Sequence, residues 1–197
     1  MQIKGKQYTY TSFVEEMNLI VQNLQNGSIE LTGSQIYMPI NLKRIERLNK
    51  TLRLSHQLIH QLKHLPFKQN WILITEAWCG DSAQSLPVLA KMAEESEGKI
   101  DLKIILRDQN LNWISKYNTD GSHSIPKLVA FNEAGDELFV WGPRPKAAQE
   151  IFKNWKTNPE GKSKNEFEVD LHTWYARDKT VSIQNELFEV LNQGVRV

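Results

Sequence analysis

The run Trp71-Ile72-Leu73-Ile74-Thr75 constrains this chain more than any other feature, because it leads within a few residues into Trp78-Cys79-Gly80-Asp81-Ser82. A short apolar run rich in strand formers marks a buried strand. The segment that follows, about Asp81 to Ser96, has helical spacing and carries Pro87 inside it. The chain therefore turns from strand to helix at Cys79. A cysteine at such a turn faces a helix N-terminus, where free backbone N–H groups and the macrodipole favour a thiolate. The thiolate is the nucleophile of thiol–disulfide exchange, so the placement suits that chemistry.

Helical patterns precede the strand. Phe13, Met17, Ile20, Val21 and Leu24 lie on one face of a helix over Ser12 to Gln25, with Ser12 and Glu15 as a capping box and Gly27 as its stop. A second helix is expected from Pro39 to His64, striped by Ile45, Leu48, Leu52, Ile59 and Leu62, and ended at Leu65-Pro66. After the Cys79 helix come a strand over Leu102 to Leu106 and a short helix over Leu111 to Tyr117. A hairpin of Lys127 to Phe131 with Glu137 to Trp141 and a helix over Pro145 to Trp155 follow. Asn158 to Ser163 reads as a loop, then two helices carry Phe167, Leu171, Trp174 and Tyr175, and Ile183, Leu187, Val190 and Leu191. The order predicts an α/β sandwich on a mixed sheet of four strands. Residues 67–158 would form the core, with helical extensions over 1–66 and 159–197, all in one compact unit. Phe13, Met17, Leu48, Leu52, Trp174 and Leu187 should be buried against that core.

The charge balance, 24 basic against 23 acidic side chains, lacks the concentrated positive charge that nucleic acid or a membrane surface requires. No apolar run is long enough to span a bilayer, and Met1 to Tyr10 lacks the apolar centre of a signal peptide. A single cysteine excludes an internal disulfide and suits a reducing, cytoplasmic setting.

The stretch from about Trp71 to Lys156 resembles the thioredoxin superfamily, whose motif is Trp-Cys-Gly-Pro-Cys. Pro87 stands where that family kinks this helix, and Asp108-Gln109-Asn110 with Lys116-Tyr117 resembles the segment before its active-site proline. Ile125-Pro126 matches the cis-proline beside the redox cysteine, and Gly142 a glycine at the start of the final helix. The resemblance implies a thioredoxin-like α/β/α sandwich with added N- and C-terminal helices. It implies Cys79 and Ser82 as the catalytic pair of a CxxS motif, with Trp78, Gly80, Asp81, Ile125 and Pro126 bordering the groove for a partner. The departures are specific. Ser82 replaces the resolving cysteine, Leu73 the buried acid that assists proton transfer, and Asp81 the proline. The carboxylates of Asp81 and Glu76 oppose a thiolate by like charge.

Ser82 has two readings, a hydrogen-bond partner for the Cys79 sulfur or a good residue for the first helical turn. His56, His60 and His64 recur every four residues, but drift off the apolar stripe toward solvent, so no metal site is expected there. His123, before the proline, reads as a loop histidine. No phosphate loop, zinc signature or nucleophile elbow is present, and no cofactor is expected. The leading expectation is a monothiol protein acting on a protein disulfide or a glutathionylated protein, with glutathione as a candidate co-substrate. The alternative is a thioredoxin-like binding or scaffold module in which Cys79 is not redox-active. A weaker third reading is glutathione-assisted iron–sulfur binding, as in monothiol glutaredoxins, from whose pattern Asp81 departs.

Overall fold

A computed structural model describes residues 2–193, so the last four residues of the C-terminal extension lie outside it. The strands are β1 (Gln7–Tyr8), β2 (Gln69–Thr75), β3 (Ile100–Leu106), β4 (Lys127–Asn132) and β5 (Glu137–Trp141). They form one mixed sheet in the order β1-β3-β2-β4-β5, with β2 parallel to β3 and every other pair antiparallel. The fifth strand was not expected. β1 is two residues long and pairs with Ile104 and Ile105, too short for any alternation to reveal it.

The helices are α1 (Tyr10–Gln25), α2 (Met38–Thr51), α3 (His56–Lys63), α4 (Gly80–Glu95), α5 (Leu111–Lys116), α6 (Lys146–Thr157), α7 (Lys164–Asp178) and α8 (Val181–Gln193). Alternate residues of β2 serve opposite faces of the sheet, as the pleat requires. Trp71 and Leu73 join the larger core, to which α1–α4 and α6–α8 all contribute. Ile72 and Ile74 join a smaller one with Cys79, Ile125, Val129 and the α5 residues Trp113 and Ile114. Both terminal extensions thus pack into the larger layer. Phe13, Met17, Leu48, Leu52 and Leu187 are buried, whereas Trp174 is only half-buried, because it stands beside the buried stripe of α7, Phe167, Leu171 and Tyr175, and not on it.

Two local expectations need correction. The cap of α1 is Thr9, whose hydroxyl accepts from the Ser12 amide while Ser12 returns the bond to the Thr9 amide, so Ser12 is the third helical residue and not the cap. The expected helix over Pro39 to His64 is two helices. Leu52 turns extended, Leu52 and Leu54 both bury their side chains in the break, and Ser55 caps α3 by accepting from the Leu58 amide. The stripe kept helical spacing through the break and so concealed it. Gln184 of α8 fills the gap, accepting from the Ser55 amide and donating to the Arg53 carbonyl and to Thr180 Oγ1. Across the break, Leu58 and Leu62 are fully buried, each contributing roughly 1.5–3 kcal/mol.

A buried amide that satisfies two backbone groups cannot be removed cheaply. Gln184→Leu should lower unfolding free energy by about 1–3 kcal/mol in urea titration, the cost of stranding buried polar groups. The exposed neighbour Gln57→Leu should change it by less than about 0.5 kcal/mol. Equal effects at the two positions would show that Gln184 does not hold the break.

Candidate functional site

Cys79 is the N-cap of α4, in extended conformation, and its amide donates to the Glu76 carbonyl at 3.1 Å. Its side chain lies in the smaller core at 8% exposure, and the thiol donates to the Ile125 carbonyl at 3.4 Å. Ile125 and Pro126 are buried, and the bond between them is cis, as is Gly142-Pro143. These two turns abut. A Cβ on Gly142, whose φ is +108°, would stand 2.3 Å from the Pro126 carbonyl oxygen, so only glycine fits. Trp78 is half-exposed beside the thiol, with the Arg107 guanidinium 4.8 Å from its ring centre.

The Cys79 thiol is pushed up to about 11, first by burial and second by the Asp81 carboxylate; the hydroxyl and amide of Ser82 and the charge of Arg144 oppose this. Thr75 Oγ1 donates to Ser82 Oγ, which leaves the serine's own proton free to face the sulfur. At neutral pH the thiol is therefore protonated. Leu73 is fully buried in the larger core, where the resemblance would put an acid. Glu76 is buried nearby, its carboxylate accepting from the Asp108 amide at 2.9 Å, and burial pushes that carboxyl up.

Asp81, expected to face a partner, turns inward at 6% exposure. Its carboxylate pairs with Arg144 Nη2 at 2.7 Å and accepts from the Tyr175 hydroxyl at 2.8 Å. Burial pushes the carboxyl up, and Arg144 and Tyr175 pull it back. Gly80 is half-exposed, yet a Cβ there would come within 2.7 Å of His172 Nε2. Gln84 Nε2 donates to His172 Nδ1, and burial holds that imidazole neutral, at about 3. Arg144, Tyr175 and His172 were not anticipated as site residues. The Gly-Pro-Arg-Pro run at 142–145 marks a rigid turn, but nothing local shows that its arginine meets the motif.

The remaining histidines stand apart. His56, His60 and His64 are exposed, with the rings of His60 and His64 stacked at 4.2 Å, and His123 meets Ser115. Among the described residues, no group of three or more His, Cys, Asp or Glu is placed to hold a metal ion, and no helix is long and apolar enough to cross a membrane.

Lys127, directly after Pro126, is another unanticipated member. It is 4% exposed, and its ammonium donates to Thr119 Oγ1 at 2.6 Å and to the Gly142 carbonyl at 2.9 Å, tying the Thr119 turn to the Gly142 turn that abuts Pro126. Burial pushes it down to about 8 from an ordinary 10.5. The unfolded chain then binds the proton more tightly, so Lys127 weakens the fold below pH 8. That penalty fades as pH rises from 8 to 10.5. Denaturation at several pH values should show stability, relative to Lys127→Met, rising across that window. A difference independent of pH would mean that Lys127 is not buried as a cation.

Comparison with known proteins agrees with this geometry. A family model described as thioredoxin matches residues 35–156, well over half of the chain. Thioredoxin from Staphylococcus aureus is 30% identical over 79 residues, spanning 39% of this chain and 73% of that protein. Among solved structures, a protein of unknown function from Pseudomonas aeruginosa superposes with a TM-score of 0.59 at 15% identity, covering 85% of this chain and 89% of that one. An HIV epitope scaffold does so with a TM-score of 0.55, also at 15% identity, covering 83% and 87%. At such identity the two structures speak to the fold alone, over a span that includes part of the terminal helices. The sheet, the seat of Cys79 and the match over residues 35–156 lead to one conclusion: the chain belongs to the thioredoxin family.

Proposed function

We propose that this protein is a single-thiol member of its family that acts on a protein disulfide or a glutathionylated protein through Cys79. The observation that carries the reading is the seat of the thiol at the N-cap of α4, bonded to the Ile125 carbonyl beside Pro126. In the step, the Cys79 thiolate attacks one sulfur of the partner's disulfide. A new S–S bond forms, the old one breaks, and its electron pair leaves on the second sulfur as a thiolate, which takes a proton from solvent. The chain has no second cysteine, so an external thiol such as glutathione must attack the mixed disulfide to restore Cys79. Ser82 steadies the sulfur, while Trp78, Gly80, Ile125 and Pro126 border the approach. Dependence on an outside thiol suits a reducing, cytoplasmic compartment.

One observation favours a second reading, a binding module in which Cys79 is inert. The thiol is buried and held near 11. Only about one part in ten thousand would be thiolate at neutral pH, since each pH unit below the pKa costs a factor of ten. Exchange through such a group is slow, and its rate must climb with pH.

Incubation with glutathione disulfide, followed by intact mass, decides between the readings. Exchange requires one glutathione adduct, lost in Cys79→Ser, whose rate rises about tenfold per pH unit between about pH 7 and pH 9 without levelling. A folded protein that forms no adduct across that range is the binding module. The wild type should also reduce insulin poorly with thioredoxin reductase, while Ser82→Cys should acquire an internal disulfide. Strong wild-type reduction would refute the single-thiol mechanism.

A further inference from the structure

We propose that α7 is an intramolecular cap on the Cys79 motif, latched to Asp81 through Tyr175. The inference rests on the exchange reading for its consequence, because a cap matters only where the thiol has a partner to meet.

α7 adheres to the body through a narrow set of contacts. Its buried residues are Phe167, Leu171 and Tyr175, one stripe at four-residue spacing. Phe167 stacks on Trp155 of α6 with ring centres 4.5 Å apart, and one turn beyond Leu171 the stripe ends at the motif. There the Tyr175 hydroxyl reaches Asp81 Oδ1, whose other oxygen already holds Arg144. His172 lies against Gly80, where even a methyl group would collide with it. The first two residues after Cys79 are therefore both met by polar side chains of α7, with Arg44 of α2 beside Gly80 and Arg144 beside Asp81. A helix kept only for packing has no need of a buried carboxylate as its anchor, since desolvating that group is costly unless it is fully paired. The proline that the family carries at this position could not accept the bond. Asp81 thus serves the docking of α7, and a partner approaching over the Gly80–Asp81 turn must displace His172 and Tyr175. Binding energy from that partner would shift α7 away from the motif, as any ligand shifts a closed–open equilibrium that it binds unequally.

The test separates access from charge. Cys79 is alkylated with iodoacetamide and with a maleimide carrying a bulky polyethylene glycol, at one pH, in the full chain. Both reagents consume the same thiolate, so the ratio of their rates cancels electrostatic effects and reads access. Tyr175→Phe keeps Asp81, Arg144 and the ring while removing the latch. It should raise the ratio of bulky to small labelling about tenfold or more, the population change that loss of a hydrogen bond to a charged group supports. A ratio unchanged from wild type, whether both rates shift together or neither shifts, overturns the cap. If Tyr175→Phe does not fold, His172→Ala is judged by the same ratio. Glutathione adducts measured in parallel keep the two ideas apart. A raised ratio without any adduct supports the cap and removes the exchange reading.

Discussion

The enclosure of α4 is the constraint on which the rest of this structure depends. From Asp81 to Leu89 every residue of the helix is buried, including Asp81, Ser82, Gln84 and Ser85. A polar group taken from water must find its partner inside the protein. Asp81 finds Arg144 and Tyr175, Ser82 finds Thr75, Gln84 finds Arg47 and His172, and Ser85 donates back to the Asp81 carbonyl. These partners come from β2, α2, α7 and the turn after β5. The first two turns of one helix thereby tie down the adjoining strand and three distant segments, and the terminal extensions are part of the site's construction.

The same enclosure sets the chemistry of Cys79. A helix N-terminus near the surface favours a thiolate by about 0.3–1 kcal/mol. Burial acts against it and is the largest influence on this thiol, with the Asp81 carboxylate adding to the penalty. Sequence position alone left the sign of the shift open, because spacing says that a cysteine begins a helix but not what lies over it. The smaller core, built from β2, β3, α5 and the turn at Ile125, decides the sign, and it decides for the neutral thiol.

Much of this was legible in the order of residues. The strand over Trp71–Thr75, the turn at Cys79, the hairpin and the short α5 follow from local patterns, because each is fixed by residues adjacent in sequence. Ile125 and Pro126 came from a resemblance, and the Ile125 carbonyl accepts from the Cys79 thiol. What the sequence hid is long-range. The break at Leu52 to Ser55 is held from Gln184, β1 exists only because β3 offers it an edge, and Asp81 is claimed from Arg144 and Tyr175. No periodicity encodes a partner that stands a hundred residues away. Lys127 is the same case, since a lysine at a strand start reads as solvent-facing until Gly142 and Thr119 close over it.

Leu73 and Ser82 make sense together. In a two-cysteine site, a buried acid beneath the motif assists proton transfer, and the gain in rate offsets the cost of desolvating it. Replace the second cysteine with a serine and that gain is gone, while an unpaired buried carboxyl still costs stability. A leucine at the same place instead contributes packing, and Leu73 is fully buried among the larger core residues of the sheet. The one carboxylate the motif does retain, Asp81, is the one whose ion pair and hydrogen bond are supplied from elsewhere in the chain. Acid is absent where it would stand alone and present where two partners meet it, so the departures at residues 73, 81 and 82 form one coherent change in how the site is built.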